Sequence, residues 1–325
     1  MITMYNFLKR CIFLIQDILP LHMKNQYEKR LPSRQSRIVA FRDDRILIKK
    51  GEQTDYMSYQ ELAERCEKSG QEVPAMVYLF AVGERDYFLA ELPEATAETV
   101  QGAMRDAVRE ACADGMVRDN CAECDLMKNE YEFVRMFEMR RKKPKEQVLI
   151  AATAWHLYCW YRDNQYCGRC TEKLMHSDKL RMLKCPCCGN QVFPKIAPAV
   201  IVGVTNGEYI LMTKYANREY KRYALIAGFT EIGETAEETV CREVLEEVGL
   251  HVKNIRYYKS QPWGFDSNLL LGYFCELDDT DEICLDEEEL ATAEWVHYKE
   301  IPEDTEGLSL TREMMTVFRE RNSGL

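Results

Sequence analysis

Between Gly228 and Leu250 the chain sets three glutamates, Glu243, Glu246 and Glu247, at spacings that one helix would bring together. Thr235 followed by Glu238 has the form of a capping box, and Gly249 is a natural C-terminal stop, so the spacing predicts a helix between them. At about 100° per residue the three glutamates fall within roughly a 100° arc of one face. Val240, Val244 and Val248 fall on the adjacent face, which suits packing against a sheet. Crowded carboxylates repel, and ordinary helix design avoids such an arrangement. A hard divalent cation resolves the conflict by taking oxygen ligands. The plain alternative is a solvated acidic face.

The rest of the chain reads as α/β. Its 325 residues suggest two domains with a small third module. A hydrophobic content of 46%, with 16 Gly and 10 Pro, excludes a collagen-like or disordered chain. The net charge of −11 argues against a generic nucleic-acid coat, because that binding relies on Lys and Arg neutralising phosphates. Ile46–Ile48 and Met76–Val82 read as strands, with Gly83–Asp86 turning into Tyr87–Leu92 as a hairpin and helical character from Thr96 to Ala113. The basic run Arg140–Lys145, broken by Pro144, reads as a solvated interdomain linker. Val148–Tyr161 is apolar and aromatic enough for a buried helix. Ala199–Val204 and Tyr209–Met212 flank Asn206-Gly207, a dipeptide suited to a tight hairpin. Strand–turn–strand–helix order thus occurs twice, around 76–113 and 199–249, as a duplication or as a common motif used twice.

Fourteen cysteines must be sorted by spacing. Lys9-Arg10 precedes the apolar stretch Cys11–Ile15, but Asp17 and Pro20 interrupt it. It falls short of the ~20 apolar residues of a membrane span, and no small-residue cleavage site follows. Residues 1–22 are read as an amphipathic extension and the protein as cytoplasmic, with no membrane partner; there, thiols stay reduced and paired cysteines suggest metal. Cys167-Gly-Arg-Cys170 and Cys185-Pro-Cys-Cys188 are two Cys-x-x-Cys knuckles separated by fourteen residues, enough for four thiolates round one structural Zn²⁺ per chain. Cys185 and Cys188 are the ligands by the match to the first spacing, leaving Cys187 spare. Cys121 and Cys124 form another pair, with Cys112 near in sequence, read as ordinary helical or loop cysteines. His156, His176, His251 and His297 show no pairing that suggests a triad.

The segment from Gly228 fits G-x5-E-x7-R-E-U-x-E-E-x-G-U, with U a bulky aliphatic residue, at every fixed place. It resembles the Nudix hydrolases. The resemblance implies an α/β/α sandwich and hydrolysis of a nucleoside diphosphate linked to another moiety. It implies Mg²⁺ or Mn²⁺ at Glu243 and Glu247, with Glu246 a further ligand or the base, and a structural ion pair between Glu234 and Arg242. Two features are similar to the NADH pyrophosphatase branch: the four-cysteine module ahead of the box, and Ser260-Gln-Pro-Trp-Gly-Phe265 after it.

That branch implies metal-dependent hydrolysis of NAD(H) to nicotinamide mononucleotide and AMP. Removal of 5′ NAD caps from RNA, or a broader dinucleotide and ADP-ribose pyrophosphatase, is the alternative. Carried over residue by residue, the substrate contacts are Phe193, Ala227, Phe229, Gln261, Pro262, Trp263, Gly264, Phe265, Asp266, Ser267, Asn268 and Thr311, and Glu289 is a further metal ligand. Gly264, Asp266 and Asn268 depart from residues common in the branch, as does Leu180 between the knuckles. A homodimer is implied as well. The expected organisation is an extension (1–22), an N-terminal α/β, Nudix-like domain (23–147), a helix with zinc ribbon (148–194) and a catalytic Nudix domain (195–325).

Overall fold

The computed structural model describes residues 14–90, 130–217, 221–304 and 306–324. It divides into two units, one spanning Leu19–Pro194 and the other joining the stretch that ends at Ile18 to Lys195–Leu325. Residues 147 and 148 both lie in the Leu19–Pro194 unit, and the expected helix over Thr96–Ala113, with Cys112, Cys121 and Cys124, lies outside the described residues. No described helix is long and apolar enough to cross a membrane.

In the Leu19–Pro194 unit the strands are β1 (Met23–Lys24), β2 (Arg37–Val39), β3 (Phe41–Arg42), β4 (Arg45–Lys49) and β5 (Met57–Ser58). After helix α1 (Tyr59–Ser69) come β6 (Met76–Val82), β7 (Arg85–Ala90) and β8 (Tyr131–Arg135). One sheet runs β1-β6-β7-β2-β5 and another β3-β4-β8. The β6–β7 hairpin is the expected one, and α1 is held by a Ser58–Glu61 capping box and a left-handed Gly70. A short helix α2 (Met136–Met139) leads to α3 (Lys145–Asp163), whose first turn takes up the end of the basic run. That run is therefore not an interdomain linker: it lies within one unit, where the Lys143 carbonyl accepts from the Thr54 N–H at 2.9 Å.

The C-terminal end of α3 packs on a ribbon of three short strands, β9 (Met175–His176), β10 (Leu183–Lys184) and β11 (Gln191–Val192). Trp160 of the helix shares a small core with Cys167, Leu174, Leu183 and Cys185. So few apolar residues give a weak core, and a ribbon this small needs a staple.

The other unit is built on β12 (Ala197–Asn206), β13 (Tyr209–Tyr215), β14 (Ile226–Phe229), β15 (Val252–Trp263), β16 (Asn268–Leu277) and β17 (Leu290–His297), with helices α4 (Ala236–Val248) and α5 (Leu310–Asn322). The strand order is β15-β16-β12-β13-β17, with β14 against β12; β12 and β16 are parallel and the other pairs antiparallel. The hairpin expected of Asn206-Gly207 forms one residue further on: Asn206 ends β12 opposite Tyr209, and the two-residue turn is Gly207-Glu208, with Gly207 at φ +59. Along β12 the side chains alternate between two cores. Val200, Val202 and Val204 meet Val240, Val244 and Val248 of α4, while Ala199 and Ile201 meet Leu310, Met314 and Phe318 of α5. Helix, sheet and helix therefore form three layers, the α/β/α sandwich expected. Each buried valine of α4 contributes about 1.5–3 kcal/mol over an exposed one.

Of the expected extension over residues 1–22, residues 14–22 are described. Leu14 and Ile15 are 0% and 1% exposed, and Leu14 joins the α5-side core with Leu270, Phe274, Leu310 and Met314. An apolar pair too short for a membrane is taken out of water by the sandwich instead.

Candidate active site

Helix α4 is fixed at both ends as its sequence indicates. Thr235 Oγ1 accepts from the Glu238 N–H, the Glu238 carboxylate accepts from the Thr235 N–H, and Gly249 closes the helix at φ +70. Its valine face goes down onto the sheet, which brings Glu243 and Glu247 with it: they are 9% and 3% exposed, whereas Glu246 is exposed. The three glutamates share a face, as the spacing predicts, but at different depths.

Gly228, at the end of β14, explains how Glu243 is accommodated. A Cβ on Gly228 would lie 1.9–2.2 Å from the Glu243 carboxyl atoms, so the carboxylate occupies the space that any larger residue would fill. Arg242 organises the surroundings. Its Nε donates to Glu234 Oε1 (2.6 Å) and its Nη2 to Glu234 Oε2 and the Phe229 carbonyl (both 2.9 Å). Its Nη1 reaches Glu243 Oε1 (2.8 Å) and Glu246 Oε2 (2.9 Å). Glu234 also accepts from the Glu231 N–H and the Thr239 hydroxyl. The family resemblance implies a pair between Arg242 and Glu234 only; the reach to Glu243 and Glu246 goes beyond it, although the i,i+4 spacing of Arg242 and Glu246 is a legible signal.

The charges respond to this geometry. The Arg242 guanidinium holds Glu234 down to about 2. Burial pushes the Glu243 carboxyl upward; Arg242 opposes this, and the negative charges of Glu246 and Glu289 add to it. Glu289 stands exposed just before β17, where its carbonyl accepts from the Ala216 N–H at 2.9 Å. These are all-oxygen donors, the set a hard divalent cation takes. Arg242 carries one charge against the three carboxylates it bonds, so that group stays net negative. The donor set and the close Gly228 cradle fit such an ion.

The expected substrate residues divide. Residues 264–267 form the turn between β15 and β16, where Trp263 Nε1 donates to Asp266 Oδ2 (2.8 Å) and the Trp263 and Phe265 rings lie 5.1 Å apart. Pro262 and Asp266 are exposed, Trp263, Ser267 and Asn268 partly so, and Gly264 and Phe265 are buried. Asn268 pairs across the sheet with Trp263 and Ala197, and Phe229 with Ala199. Phe229 is 54% exposed, Ala227 lies partly buried against the α5-side core, and Thr311 is the partly exposed second residue of α5. Gln261 departs from the expectation. It is 0% exposed, with Nε2 on the Leu308 carbonyl (2.9 Å) and Oε1 on the Leu310 N–H (2.7 Å), so it faces the protein rather than a pocket. Phe193 is exposed on the ribbon of the other unit.

In that ribbon, Cys167, Cys170, Cys185 and Cys188 bring their sulfurs within 4.8 Å of one another. The Cys167–Cys188 and Cys170–Cys185 separations are 3.6 and 3.4 Å, near the ~3.8 Å edge of a tetrahedron with ~2.3 Å metal–sulfur bonds. The Arg169 and Cys188 N–H groups point at Cys167 and Cys185 sulfur, and the former lowers Cys167 to about 6, toward the thiolate a metal needs. Cys187 is exposed and outside the cluster. Among the described residues no glutamate group closes to that spacing; Arg242 draws Glu243 and Glu246 to itself.

Residues 195–317 match the NUDIX domain. This stretch is a Nudix domain. Curated proteins similar to the chain include the NAD-capped RNA hydrolase NudC of Photorhabdus laumondii, 39% identical over 47% of this chain and 59% of that protein. The protein of the same name from Erwinia tasmaniensis is 39% identical over 51% of this chain and 64% of its own length. The matched part thus spans less than two-thirds of these relatives. Among solved structures, a Nudix hydrolase from Nitrosomonas europaea is 23% identical, with a TM-score of 0.43, over 49% of this chain and 93% of that one. The Nudix domain contains α4, Gly228, Arg242 and the glutamates, whereas the four-cysteine cluster precedes it.

Proposed function

We propose that the Nudix domain hydrolyses the pyrophosphate bond of NAD(H) to nicotinamide mononucleotide and AMP, using Mg²⁺ or Mn²⁺ held by Glu243, Glu247 and Glu289, with Glu246 as the base. The observation that carries the metal-dependent chemistry is the burial of Glu243 and Glu247 on a helix whose arginine already serves three carboxylates; the choice of NAD(H) is supported by the Ser260–Phe265 resemblance and by the names of the curated relatives. Concentrated, partly buried negative charge is costly unless a cation accompanies it.

When bound, the cation lowers the pKa of an attacking water and stabilises charge on the leaving phosphate. Arg242 holds the Glu243 and Glu246 carboxylates in place. Glu246, the exposed one, accepts a proton from the water that adds to phosphorus. The P–O bond to the bridging oxygen breaks, and the leaving phosphate keeps the electron pair. Trp263 and Phe229 offer flat apolar surfaces to the bases. The four-cysteine cluster holds one structural Zn²⁺, since four thiolates leave no open position.

The names of the curated relatives favour a second reading, in which the same bond is cut in the NAD cap of an RNA. A net charge of −11 weighs against nonspecific RNA affinity. Product analysis over NADH, NAD, ADP-ribose and diadenosine substrates, with Mg²⁺ or Mn²⁺, tests the first reading. Nicotinamide mononucleotide and AMP from NAD(H) are expected, and intact dinucleotides with Mn²⁺ would overturn it. Turnover of NADH against NAD-capped RNA separates the two readings. Sedimentation tests the homodimer.

A further inference from the structure

The segment Leu14–Asp17 closes on itself: the Leu14 N–H donates to Asp17 Oδ2 (2.8 Å) and the Asp17 N–H to the Leu14 carbonyl (3.0 Å). With Leu14 and Ile15 buried, this small turn addresses three consecutive residues of the edge strand β15. Asp17 Oδ2 lies 3.9 Å from Lys259 Nζ, Gln16 Nε2 donates to the Ser260 carbonyl (3.3 Å), and Gln16 Oε1 accepts from Gln261 Nε2 (3.3 Å). The Ile15 N–H also donates to the Leu308 carbonyl at 3.3 Å.

Both amides have their orientation dictated by fixed backbone groups. The Leu310 N–H requires an acceptor, so Gln261 turns Oε1 toward it and Nε2 toward Leu308 and Gln16. Gln16 must then offer its oxygen to Gln261, which leaves its NH₂ for the Ser260 carbonyl. The Gln261 amide thereby ties the strand running into Pro262 and Trp263 to the first residue of α5, next to Thr311. Gln16 is the side chain that holds that amide from the other side. Burying Leu14 and Ile15 needs none of these polar contacts.

We propose that Leu14–Asp17 is a positioning brace for the dinucleotide pocket, with Gln16 its specific positioning residue. This rests on the reading that the turn after β15 and the start of α5 meet the substrate. The brace lies on the α5 side of the sheet and the metal-site glutamates on the α4 side, so its loss moves substrate fit and not the chemical step.

Gln16→Ala and Gln16→Glu, made in the full chain, test this through NADH hydrolysis kinetics with Mn²⁺ and through hydrogen exchange at the Leu310 amide. Loss of one such hydrogen bond is expected to raise KM about fivefold, with kcat within about twofold, and to speed Leu310 exchange about fivefold. Gln16→Glu is expected to do no better than Ala, because its second oxygen faces the Ser260 carbonyl. An unchanged KM, with or without a lower Tm, overturns the proposal. If the wild-type chain cleaves no dinucleotide, the functional reading fails, and Leu310 exchange then decides the brace alone: faster exchange supports it and unchanged exchange overturns it.

Discussion

Arg242 meets Glu234 through two parallel donors, Nε to Oε1 at 2.6 Å and Nη2 to Oε2 at 2.9 Å, and uses its remaining nitrogen to hold Glu243 and Glu246. A planar fork can serve all three carboxylates; a lysine ammonium cannot. Arg242→Lys is therefore expected to keep the fold while lowering Mn²⁺ affinity and kcat/KM by roughly tenfold or more, as loss of a residue that orients ligands does. Calorimetric Mn²⁺ titration beside steady-state kinetics checks it.

The same pair sets a pH window. Glu234 is lowered from 4.5 to about 2 chiefly by Arg242, so its stabilisation is full above the unfolded value and fades as pH falls toward about 2. The difference in Tm between wild type and Glu234→Gln should be constant from neutral pH down to about 5 and shrink below that. A difference that persists unchanged at pH 2.5 would show that the Glu234–Arg242 charge pair is not its source.

Gly228→Ala places a methyl group where the Glu243 carboxyl sits. The displaced group is the far end of a flexible side chain, so the fold yields easily while the donor geometry does not. Tm should change little and activity should fall on the order of a hundredfold, the scale of a misplaced reacting group. Thermal melts paired with kcat measurements distinguish this from general unfolding.

Glu247→Gln keeps the shape of a side chain only 3% exposed and removes its charge. Turnover is expected to vanish with circular dichroism unchanged. Full activity in this variant would contradict its assignment as a metal ligand.

Cys167→Ser removes one sulfur from the cluster, and Cys187→Ser removes an exposed thiol outside it. Zinc content by elemental analysis should drop from about one per chain toward zero in the first variant and hold in the second. The first should also melt earlier, since the ribbon has little other core.

Much of this was legible in the linear chain because it is local. A capping box, a helix stop, two knuckles and a hairpin turn involve residues within a few positions of each other, and local hydrogen bonds hold them wherever the segment lies. The basic run before α3 misled because its composition is that of a linker, while its carbonyl at Lys143 is tied to Thr54 far back in sequence. Gln261 misled for a related reason: the motif places it beside Pro262 and Trp263, and strand alternation turns it inward while Pro262 faces out.

The sequence by itself determined the glutamate-bearing helix, its valine face, the pairing of the four cysteines and the strand–turn–strand frame, since each follows from periodicity, capping or chelate spacing. Only the tertiary structure decided how deeply each glutamate lies, that Glu243 rests against Gly228, that Arg242 gathers three carboxylates, and that Leu14–Asp17 belongs to the sandwich. Those outcomes depend on close packing between segments distant in the chain. Pattern alone carries no such information, because it records which face a residue takes and not what meets it there.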